Sequence, residues 1–500
     1  MAIFVLLAGG ILTYCVGWII YARWFHPYAK YPGPFLASIS RAWLVKEMIN
    51  GHIDETQRRW HDKYGPIIRI APDEVSIADP SAVQTIYGAH SGFTKTDFYS
   101  AFSARWARYP EHFASTNPVV HAARRKQVNH IYSMTNVSRY EDRIDACTNV
   151  FMERMRELAD KKQPVELTDW FRWYAFDVIG ELFYGHQFGF MERQEDYQGL
   201  IHATDMVMPL LGTSALIPSY LRGLVFMAGA CIPRVLAGLK ALTALEIATD
   251  VSVNERQALL DKKGGILDHE DMLSSCFRVM EETNDKDNFG ELEIRGELYV
   301  AFAAGFDTTA TAFTSIVYHL MKTPSAYRKL RAEIDEATAK GQLGRPNIRY
   351  AEAVKLPYMD ACIQEGMRIH PSVGLCLPRH VPKGGCKIAG EFFAEGLRVG
   401  INPLVIQRDK SVFGEDADVF RPERWIEGDA AFMDKHILGF GLGEYTCLGK
   451  NISMMELYKM IPEFIRGFDL ELVDPKKDWT VVNQWFNKPA NVLTKVTARK

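Results

Sequence analysis

The stretch Phe440-Gly441-Leu442-Gly443-Glu444-Tyr445-Thr446-Cys447-Leu448-Gly449 predicts a tight glycine-rich loop that presents one cysteine. An apolar, helix-favouring run at 452–465 follows, so Cys447 is expected just before a helix begins. Backbone N–H groups are unpaired at such a position and the helix dipole favours negative charge, so a thiolate is stabilised there. The glycines let the backbone approach a flat ligand closely. A buried structural cysteine in a glycine turn is the alternative, and the loop by itself leaves it open.

Composition limits the class of protein. The chain has 500 residues, of which 47% are hydrophobic and 24% charged, as in an ordinary globular protein. The net charge of −3 provides no basic excess to meet phosphates, so nucleic acid is not expected as a partner. The eight cysteines are scattered without a Cys-x-x-Cys pair, which is typical of free thiols in a reducing compartment.

The N-terminal run at 3–21 carries no charged residue. As a helix its roughly 19 residues measure about 28 Å, close to the thickness of one bilayer core. A cleaved signal peptide is the alternative, but no basic region precedes the run. Arg23 and Lys30 follow it, which places the rest of the chain in the cytosol. We therefore predict a membrane anchor at 1–22, a Pro-Gly hinge at 23–36 around Tyr31-Pro32-Gly33-Pro34, and a catalytic domain at 37–500.

The longest helical pattern, at 291–322, contains Ala303-Ala304-Gly305-Phe306-Asp307-Thr308-Thr309. Glycine and paired threonines are poor choices inside a helix and cost up to about 1 kcal/mol each relative to alanine. A local rule broken in a long helix often marks a functional site. A kinked helix with a surface aspartate is the alternative.

Most other patterns predict helices with few strands, which gives a mainly α fold with small β-sheets (α+β). Helices are expected at 56–64, 121–133, 138–159 and 169–184, and a strand pair at 67–70 and 74–77. The aromatic-rich segment 91–118 is expected to be a long loop, either a lid or part of a binding-site wall. The apolar segment 206–235 is interrupted by prolines, which favours two packed helices over a second membrane span. Its loop either dips into the lipid surface or packs in the core.

Two further motifs pair charges. Glu365 and Arg368 lie three residues apart on one helical face and can form an ion pair. Downstream stand Phe420-Arg421-Pro422-Glu423-Arg424-Trp425 and, between the two motifs, Leu377-Pro378-Arg379. A Glu-x-x-Arg pair alone is common and says little about function.

Taken together and in this order, these motifs resemble the cytochrome P450 family. The cysteine loop matches the family pattern Phe-x-x-Gly-x-Arg-x-Cys-x-Gly except at Tyr445, and 304–309 matches Ala-Gly-x-Asp-Thr-Thr at every position. The anchor with its Pro-Gly-Pro hinge, the basic helix with His121 and Arg125, and the Glu-x-x-Arg and Pro-Glu-Arg elements complete the set. The stretches 449–453 and 483–486 further resemble the fungal pisatin demethylase-like branch.

The resemblance implies a cytochrome P450 fold with an N-terminal transmembrane helix, holding haem b (iron protoporphyrin IX). Cys447 would be the thiolate ligand of the iron, and the other cofactor-binding residues would be His121, Arg125, Arg379, Phe440, Gly441 and Ala304. Ala304 and Gly305 would leave room for dioxygen, while Asp307 and Thr308 would act as the catalytic proton relay. Glu365, Arg368 and Arg424 would form a network that fixes the cysteine loop.

Tyr445 is a departure from the family loop. The family arginine offers haem a charged hydrogen bond worth roughly 1.5–3 kcal/mol. Tyrosine keeps a phenolic donor but loses the charge, so we expect somewhat weaker haem binding.

The implied activity is insertion of one oxygen atom from O2 into an apolar small molecule, in fungal secondary metabolism. Electrons would come from NADPH–cytochrome P450 reductase, which could meet Arg124, Lys126, Lys435 and Lys450. The implied place is the endoplasmic reticulum membrane, with a single pass and a cytosolic catalytic domain. The implied substrate-facing residues are Phe98, Phe102, Phe302, Val373, Leu375 and Trp485. A haem-thiolate isomerase or dehydratase, and a non-enzymatic membrane haem carrier, are the alternatives.

Overall fold

The structure is a computed structural model that describes residues 1–103, 110–229, 231–262, 271–283 and 289–499. It is mainly helical with small β-sheets, which confirms the predicted fold class. The α-helices are α1 (Ala2–Ile20), α2 (Phe35–Ile39), α3 (Ala42–Asn50), α4 (Ile53–Tyr64), α5 (Ser81–Tyr87), α6 (Pro118–Val128), α7 (Met134–Val137), α8 (Glu141–Asp160), α9 (Leu167–Ile179), α10 (Phe190–Arg193), α11 (Leu200–Leu216), α12 (Ser219–Gly229), α13 (Pro233–Lys262), α14 (Met272–Thr283), α15 (Glu291–Lys322), α16 (Pro324–Ala339), α17 (Tyr350–Ala353), α18 (Pro357–Ile369), α19 (Pro403–Ile406), α20 (Lys410–Phe413), α21 (Arg424–Glu427), α22 (Ala430–Asp434) and α23 (Lys450–Gly467).

The strands are short and form four small sheets. They are β1 (Ile67–Ala71), β2 (Glu74–Ile77), β3 (Thr94–Lys95), β4 (Val165–Glu166), β5 (Arg379–His380), β6 (Cys386–Ile388), β7 (Glu391–Phe393), β8 (Arg398–Gly400), β9 (Phe468–Leu472), β10 (Thr480–Gln484), β11 (Phe486–Ala490) and β12 (Leu493–Ala498). The largest sheet has the order β1-β2-β8-β5-β3, and a second has the order β4-β12-β9. The hairpins β10-β11 and β6-β7 make the other two. The predicted strand pair is confirmed as β1 and β2.

Helix α15 runs through the core with the predicted bounds. It begins after Gly290, whose N–H donates to the Glu293 carboxylate at 2.9 Å, and it ends before Pro324, which cannot continue a helix. Its middle is buried against α9, where the rings of Phe313 and Phe171 stack at 5.3 Å. Helices α18 and α23 pack against it from other sides. The motif at 303–309 therefore lies in the centre of the molecule.

Within the described part of the chain, two helices are long and apolar enough to cross a membrane. One spans Ile3–Phe25 and covers most of α1 and its π-helical continuation. None of the residues in its most apolar stretch is buried. The other is α15, which is mostly buried and belongs to the core. The N-terminal helix is thus the candidate membrane span.

The segment predicted as a hinge packs against the large sheet. The buried Arg69 guanidinium donates from Nη1 to the Ala22 carbonyl at 2.6 Å. The Arg69 backbone N–H donates to the Pro32 carbonyl at 2.7 Å, and the Tyr28 hydroxyl donates to the Arg398 carbonyl at 2.9 Å. These bonds fix where the chain leaves the N-terminal helix.

Two other segments differ from their predictions. The segment 206–235 contains three helical pieces, because Pro218 separates α11 from α12 and Pro233 starts α13. Helix α11 is largely buried, while α12 exposes Tyr220, Leu224 and Met227. The segment 91–118 holds β3 and a 3₁₀ turn at Tyr99–Phe102 in its described part, and 104–109 lie outside the described residues.

Candidate functional site

The cysteine loop is built on two glycines in the left-handed region. Gly441 has φ +65° and Gly443 has φ +60°, and a Cβ on Gly443 would lie 2.5 Å from the Tyr87 carbonyl oxygen. The Cys447 N–H donates back to the Phe440 carbonyl at 2.7 Å and closes the loop. Helix α23 begins three residues later. The structure thus places Cys447, Phe440 and Gly441 in one tight loop ahead of a helix.

The Cys447 thiol is accessible to solvent even though it lies deep among protein atoms. Burial raises the pKa of this thiol, while the N–H groups of Gly449 and Lys450 and the charge of Arg125 act in the opposite direction. The site therefore offers a sulfur atom with donors around it and open space in front of it. A metal that binds sulfur removes the thiol proton outright.

Helix α15 turns a row of small residues toward open space. Ala304, Gly305 and Thr308 are partly exposed inside the protein, whereas their neighbours Phe306 and Thr309 are buried. The Thr308 hydroxyl donates to the Ala304 carbonyl at 2.7 Å. On the neighbouring face the Thr309 hydroxyl lies 2.9 Å from the Ser453 hydroxyl, a hydrogen bond that ties α15 to α23.

Gly305 also has a structural reason to be a glycine. A Cβ at this position would lie 2.6 Å from the Ile179 side chain of α9. The glycine therefore allows α9 and α15 to pack closely, and room for dioxygen is not needed to explain it. Ala304 and Gly305 remain the small residues on the open face.

Asp307 is buried among cations that the sequence analysis missed. Arg172 on α9 donates from Nε to one Asp307 oxygen at 2.9 Å, and the Lys488 ammonium on β11 lies 2.5 Å from the other. Both cations also contact Asp205, at 2.5 and 2.6 Å. Asp307 is thus turned toward a charged cluster whose outer members, Asp205 and Lys488, are partly exposed. No local sequence pattern predicts this cluster, because its members lie on elements that are far apart in the sequence.

A second group of cations surrounds Tyr445. The guanidinium carbon of Arg379 and the ammonium of Lys95 each lie 4.9 Å from the centre of the Tyr445 ring, and the His121 ring lies 4.6 Å from it. Arg125 donates from Nη1 to the Thr446 carbonyl at 2.6 Å. The structure therefore brings His121, Arg125 and Arg379 together beside the cysteine loop and adds Lys95, which the sequence analysis missed.

These cations are placed in an environment that disfavours charge. Arg379 is buried and donates to the Tyr99 hydroxyl, yet its Nε has no hydrogen-bond partner in the described part of the chain. Burial, followed by the charge of Lys95, lowers the pKa of His121 to about 3, so the imidazole is neutral. Burial and the charge of Arg379 hold the pKa of Lys95 well below its usual range. An anionic ligand would satisfy these groups.

The predicted network of Glu365, Arg368 and Arg424 is present as a fully buried cluster. Arg368 donates to both Glu365 oxygens at 2.7 and 2.8 Å, and Arg424 donates from Nε to Glu365 Oε1 at 2.9 Å. The Trp425 indole N–H, which the sequence analysis missed, donates to the other oxygen at 2.9 Å. All the hydrogen-bonding capacity of this carboxylate is used within the protein.

Gln407 connects this network to the cysteine loop. Its carbonyl accepts from Arg368 Nη1 at 2.7 Å and its side-chain amide donates to the Arg368 carbonyl at 2.9 Å. Its side-chain oxygen accepts the Leu438 N–H at 2.9 Å, two residues before Phe440. A buried glutamine in a short helix–loop junction gives no distinctive sequence signal.

Three of the predicted substrate-facing residues form one aromatic cluster. The Trp485 ring lies 5.3 Å from Phe98 and 5.0 Å from Phe102, centre to centre. Trp485 has φ +91°, an unusual backbone conformation for a residue with a side chain, at the turn between β10 and β11. Val373 and Leu375 flank Gly374, whose N–H reaches the Trp485 carbonyl at 3.4 Å.

Phe302 and Arg124 are not where they were predicted. Phe302 is buried away from the Trp485 cluster and packs on Tyr184 at 5.3 Å, because it points from α15 toward α9 and the π-helical segment after it. Arg124 is buried beside Glu293, with 3.5 Å between the charged atoms, so it does not present a cation at the surface. Lys126, Lys435 and Lys450 are exposed.

The site defines a class of protein. The fold is mainly helical, with an accessible cysteine before a helix and a small-residue face on the central helix. Together with one buried guanidinium donor that is unpaired among the described residues, this arrangement suits a thiolate-bound haem with acidic side groups. The orphaned Nε of Arg379 is the observation that fits those groups most directly.

Comparisons with known proteins agree with this class. The family model for cytochrome P450 matches residues 32–496. The chain is 39% identical to cytochrome P450 monooxygenase gsfF of Penicillium aethiopicum, over 99% of both chains. It is 33% identical to pisatin demethylase of Fusarium vanettenii, over 96% of this chain and 90% of that one. It is 31% identical to cytochrome P450 monooxygenase cicH of Emericella nidulans, over 94% and 93%.

The chain belongs to the cytochrome P450 family, and relatives such as gsfF and cicH are named as monooxygenases. The predicted resemblance to the family and to the pisatin demethylase-like branch is confirmed. Membership implies a haem-thiolate cofactor, dioxygen and a substrate.

Proposed function

We propose that this protein is a membrane-anchored monooxygenase that inserts one oxygen atom from O2 into an apolar small molecule of fungal secondary metabolism. The observation that carries the proposal is the accessible Cys447 thiol beside the open face of α15 that holds Ala304 and Thr308. The cofactor is haem b, with Cys447 as the iron ligand and Arg125, Arg379 and His121 holding its carboxylates. Phe440, Gly441 and Ala304 would contact the flat ring.

The bound haem supplies the oxygen-activating chemistry, which a thiolate ligand promotes by donating electron density. The protein has to deliver protons to the open face of α15 and to keep bulk water out. Thr308 presents a hydroxyl on that face, and Asp307 next to it is linked through Lys488 to the partly exposed Asp205. Protons would pass from this cluster through the Asp307 carboxylate to the Thr308 hydroxyl.

The aromatic cluster of Phe98, Phe102 and Trp485, with Val373 and Leu375 beside it, is proposed to line the substrate site. Such rings bury apolar surface and exclude water, and they offer few hydrogen bonds to the ligand. An apolar metabolite with aromatic or terpenoid character fits this lining.

Residues 1–22 are proposed to anchor the protein in the endoplasmic reticulum membrane, with 23–36 as the connecting segment and 37–500 as the cytosolic catalytic domain. The exposed, apolar N-terminal helix supports the anchor. NADPH–cytochrome P450 reductase is the proposed electron donor. Lys126, Lys435 and Lys450 are exposed cations that could meet its acidic surface.

Carbon monoxide binding to the reduced protein tests the cofactor, and NADPH-dependent oxygen uptake in membranes that also contain the reductase tests the activity. Wild type and Cys386→Ala, a change at a partly exposed thiol outside the site, are expected to show the thiolate-type carbon monoxide spectrum. Cys447→Ala is expected to lose both signals. Unchanged turnover in Cys447→Ala would contradict the proposal. Mass spectrometry of metabolites that accumulate in a strain lacking the protein would identify the substrate.

A further inference from the structure

One side chain ties the loop after α18 to the turn of α15 that carries Thr308. The Ser372 hydroxyl donates to the Thr308 carbonyl at 2.7 Å. Thr308 lies in the middle of α15, so its carbonyl already belongs to the hydrogen-bond ladder of that helix. The extra bond is not needed to form the helix, and its effect is to fix this turn of α15 relative to the loop.

Thr308 is therefore held through both its side chain and its backbone. Its hydroxyl donates to the Ala304 carbonyl at 2.7 Å within α15, while its carbonyl accepts from Ser372. To pass a proton, the hydroxyl has to turn away from Ala304 toward the open face of the helix. Because the carbonyl is held from outside the helix, the side chain can turn while the backbone stays in place.

Ser372 is itself held by strand β11. The Asn487 N–H donates to the Ser372 carbonyl at 2.8 Å. The next residue of the strand is Lys488, whose ammonium lies 2.5 Å from the Asp307 carboxylate. The two residues of the proposed relay, Asp307 and Thr308, are thus both positioned by one strand, the first directly and the second through Ser372.

The same hairpin forms part of the proposed substrate site. Val373, which follows Ser372, pairs with Phe486 in an antiparallel bridge. The Gly374 N–H reaches the Trp485 carbonyl at 3.4 Å. The loop after α18 and the tip of the hairpin β10–β11 are therefore joined, so the aromatic wall and the relay turn of α15 share one support.

We infer that Ser372 is a positioning residue of the proton relay, whose hydroxyl holds the Thr308 turn of α15 on the hairpin that carries Lys488 and Trp485. The inference rests on the proposed monooxygenase function. Ser372 acts through the backbone of Thr308 and does not itself transfer the proton. A purely structural role, in which the hydroxyl only stabilises the fold, is the alternative that the experiments have to exclude.

The carbon–oxygen stretching band of carbon monoxide bound to the reduced holoprotein tests this inference without using activity. Carbon monoxide on the open face senses nearby donors, so the band reports where the Thr308 hydroxyl stands. Ser372→Ala is expected to shift and broaden the band, because the hydroxyl then takes more than one position. Ser372→Thr keeps a hydroxyl and is expected to keep the wild-type band.

Ser315→Ala is the matched control. The buried Ser315 hydroxyl donates to the Gly366 carbonyl at 2.8 Å, so it also ties α15 to α18, but about two turns further along the helix. Its loss removes the same kind of bond and is expected to leave the carbon monoxide band unchanged. A structural contribution common to both serines would appear as a similar fall in the urea midpoint of both alanine variants.

Hydrogen exchange of the holoprotein provides a second measurement. The backbone amides of 303–312 are expected to exchange about fivefold faster in Ser372→Ala than in wild type, since one hydrogen bond that holds this turn is lost. Ser315→Ala should change their exchange by less than about twofold. Haem transfer to excess apomyoglobin, followed by absorbance, should proceed at the wild-type rate in Ser372→Ala. Faster transfer would assign Ser372 a structural role at the haem site and overturn the inference.

An unchanged band in Ser372→Ala would overturn the inference, as would equal band shifts in Ser372→Ala and Ser315→Ala. If Ser372→Ala does not fold, Ser372→Thr and Ser372→Val provide a pair of similar shape that differs in the hydroxyl. Identical bands from these two variants would overturn the inference. Absence of the thiolate-type carbon monoxide spectrum in wild type would instead contradict the proposed function.

Discussion

Two buried charged clusters in this protein differ in whether their hydrogen bonds are complete. In the first, Glu365 accepts from Arg368, Arg424 and Trp425, and these arginines also donate to backbone carbonyls. In the second, Lys95 and Arg379 face each other across a strand pair, and Arg379 Nε has no partner in the described residues. A cluster whose hydrogen bonds are complete stabilises the fold without a bound ligand. An incomplete cluster of cations is suited to an anionic ligand.

Breaking the complete cluster is expected to have the largest effect. Glu365→Gln leaves the buried Arg368 guanidinium without its counter-charge and leaves Arg424 paired with Asp416 alone, which costs about 3–5 kcal/mol of unfolding free energy. Urea denaturation followed by circular dichroism measures this loss. Glu427→Gln is the matched control, because the ion pair of Glu427 with Arg421 is exposed and is worth about 0–1 kcal/mol. Similar losses in the two variants would contradict the contrast between the clusters.

A third cluster surrounds Asp307, and its charged groups are nearly all paired. Variants of this cluster test whether it also takes part in catalysis. Asp307→Asn keeps the shape but cannot carry a proton, so turnover is expected to fall roughly a hundredfold. The carbon monoxide spectrum should be unchanged, and oxygen uptake measured against product formation reports the loss. Asp205→Asn changes the partly exposed acid of the same cluster and is expected to cost less than about tenfold. Normal product formation by Asp307→Asn would exclude the relay.

Removing a cation from the incomplete cluster should weaken ligand binding and leave the fold intact. Arg379→Leu is expected to release haem about tenfold or more faster, since a charged hydrogen bond is lost. The unfolding free energy of the apoprotein should not fall, because a buried cation without a counter-ion has been removed. Arg368→Leu is the matched arginine of the complete cluster and should unfold the protein instead. A lower unfolding free energy for the Arg379→Leu apoprotein than for wild type would contradict the distinction between the complete and the incomplete cluster.

The residues that form these clusters could be predicted from the sequence to different degrees. The network of Glu365, Arg368 and Arg424 was implied by the resemblance to the family, and the long helix α15 follows from its apolar pattern. Lys95, Gln407 and Arg172 were missed because each makes its key contacts with residues far away in sequence, and none stands in a distinctive local pattern. Phe302 was misplaced because a helical pattern shows that a residue is buried but not against which neighbouring helix.

A pH dependence of stability is also expected from Glu111, next to the incomplete cluster. Burial raises the pKa of this carboxyl from 4.5 to about 7 in the folded protein. The folded state therefore binds more protons than the unfolded state between these values, and stability falls as the pH rises through that window. Wild type should lose more stability than Glu111→Gln between pH 5 and pH 8 in urea titrations. Equal losses of unfolding free energy in wild type and Glu111→Gln would contradict this prediction, because they would show that ionisation of Glu111 does not destabilise the fold.

The contacts of the N-terminal segment set a limit on shortening the protein for expression in soluble form. Residues 3–14 are exposed, whereas Trp18 donates to the Ile39 carbonyl and Ala22 accepts from the buried Arg69. A cut before Trp18 preserves both bonds. A cut at the Pro-Gly-Pro element would remove the Ala22 carbonyl that accepts from the Arg69 guanidinium, and it would uncover the edge of the large sheet. Preparations without detergent should therefore keep the residues from Trp18 onward.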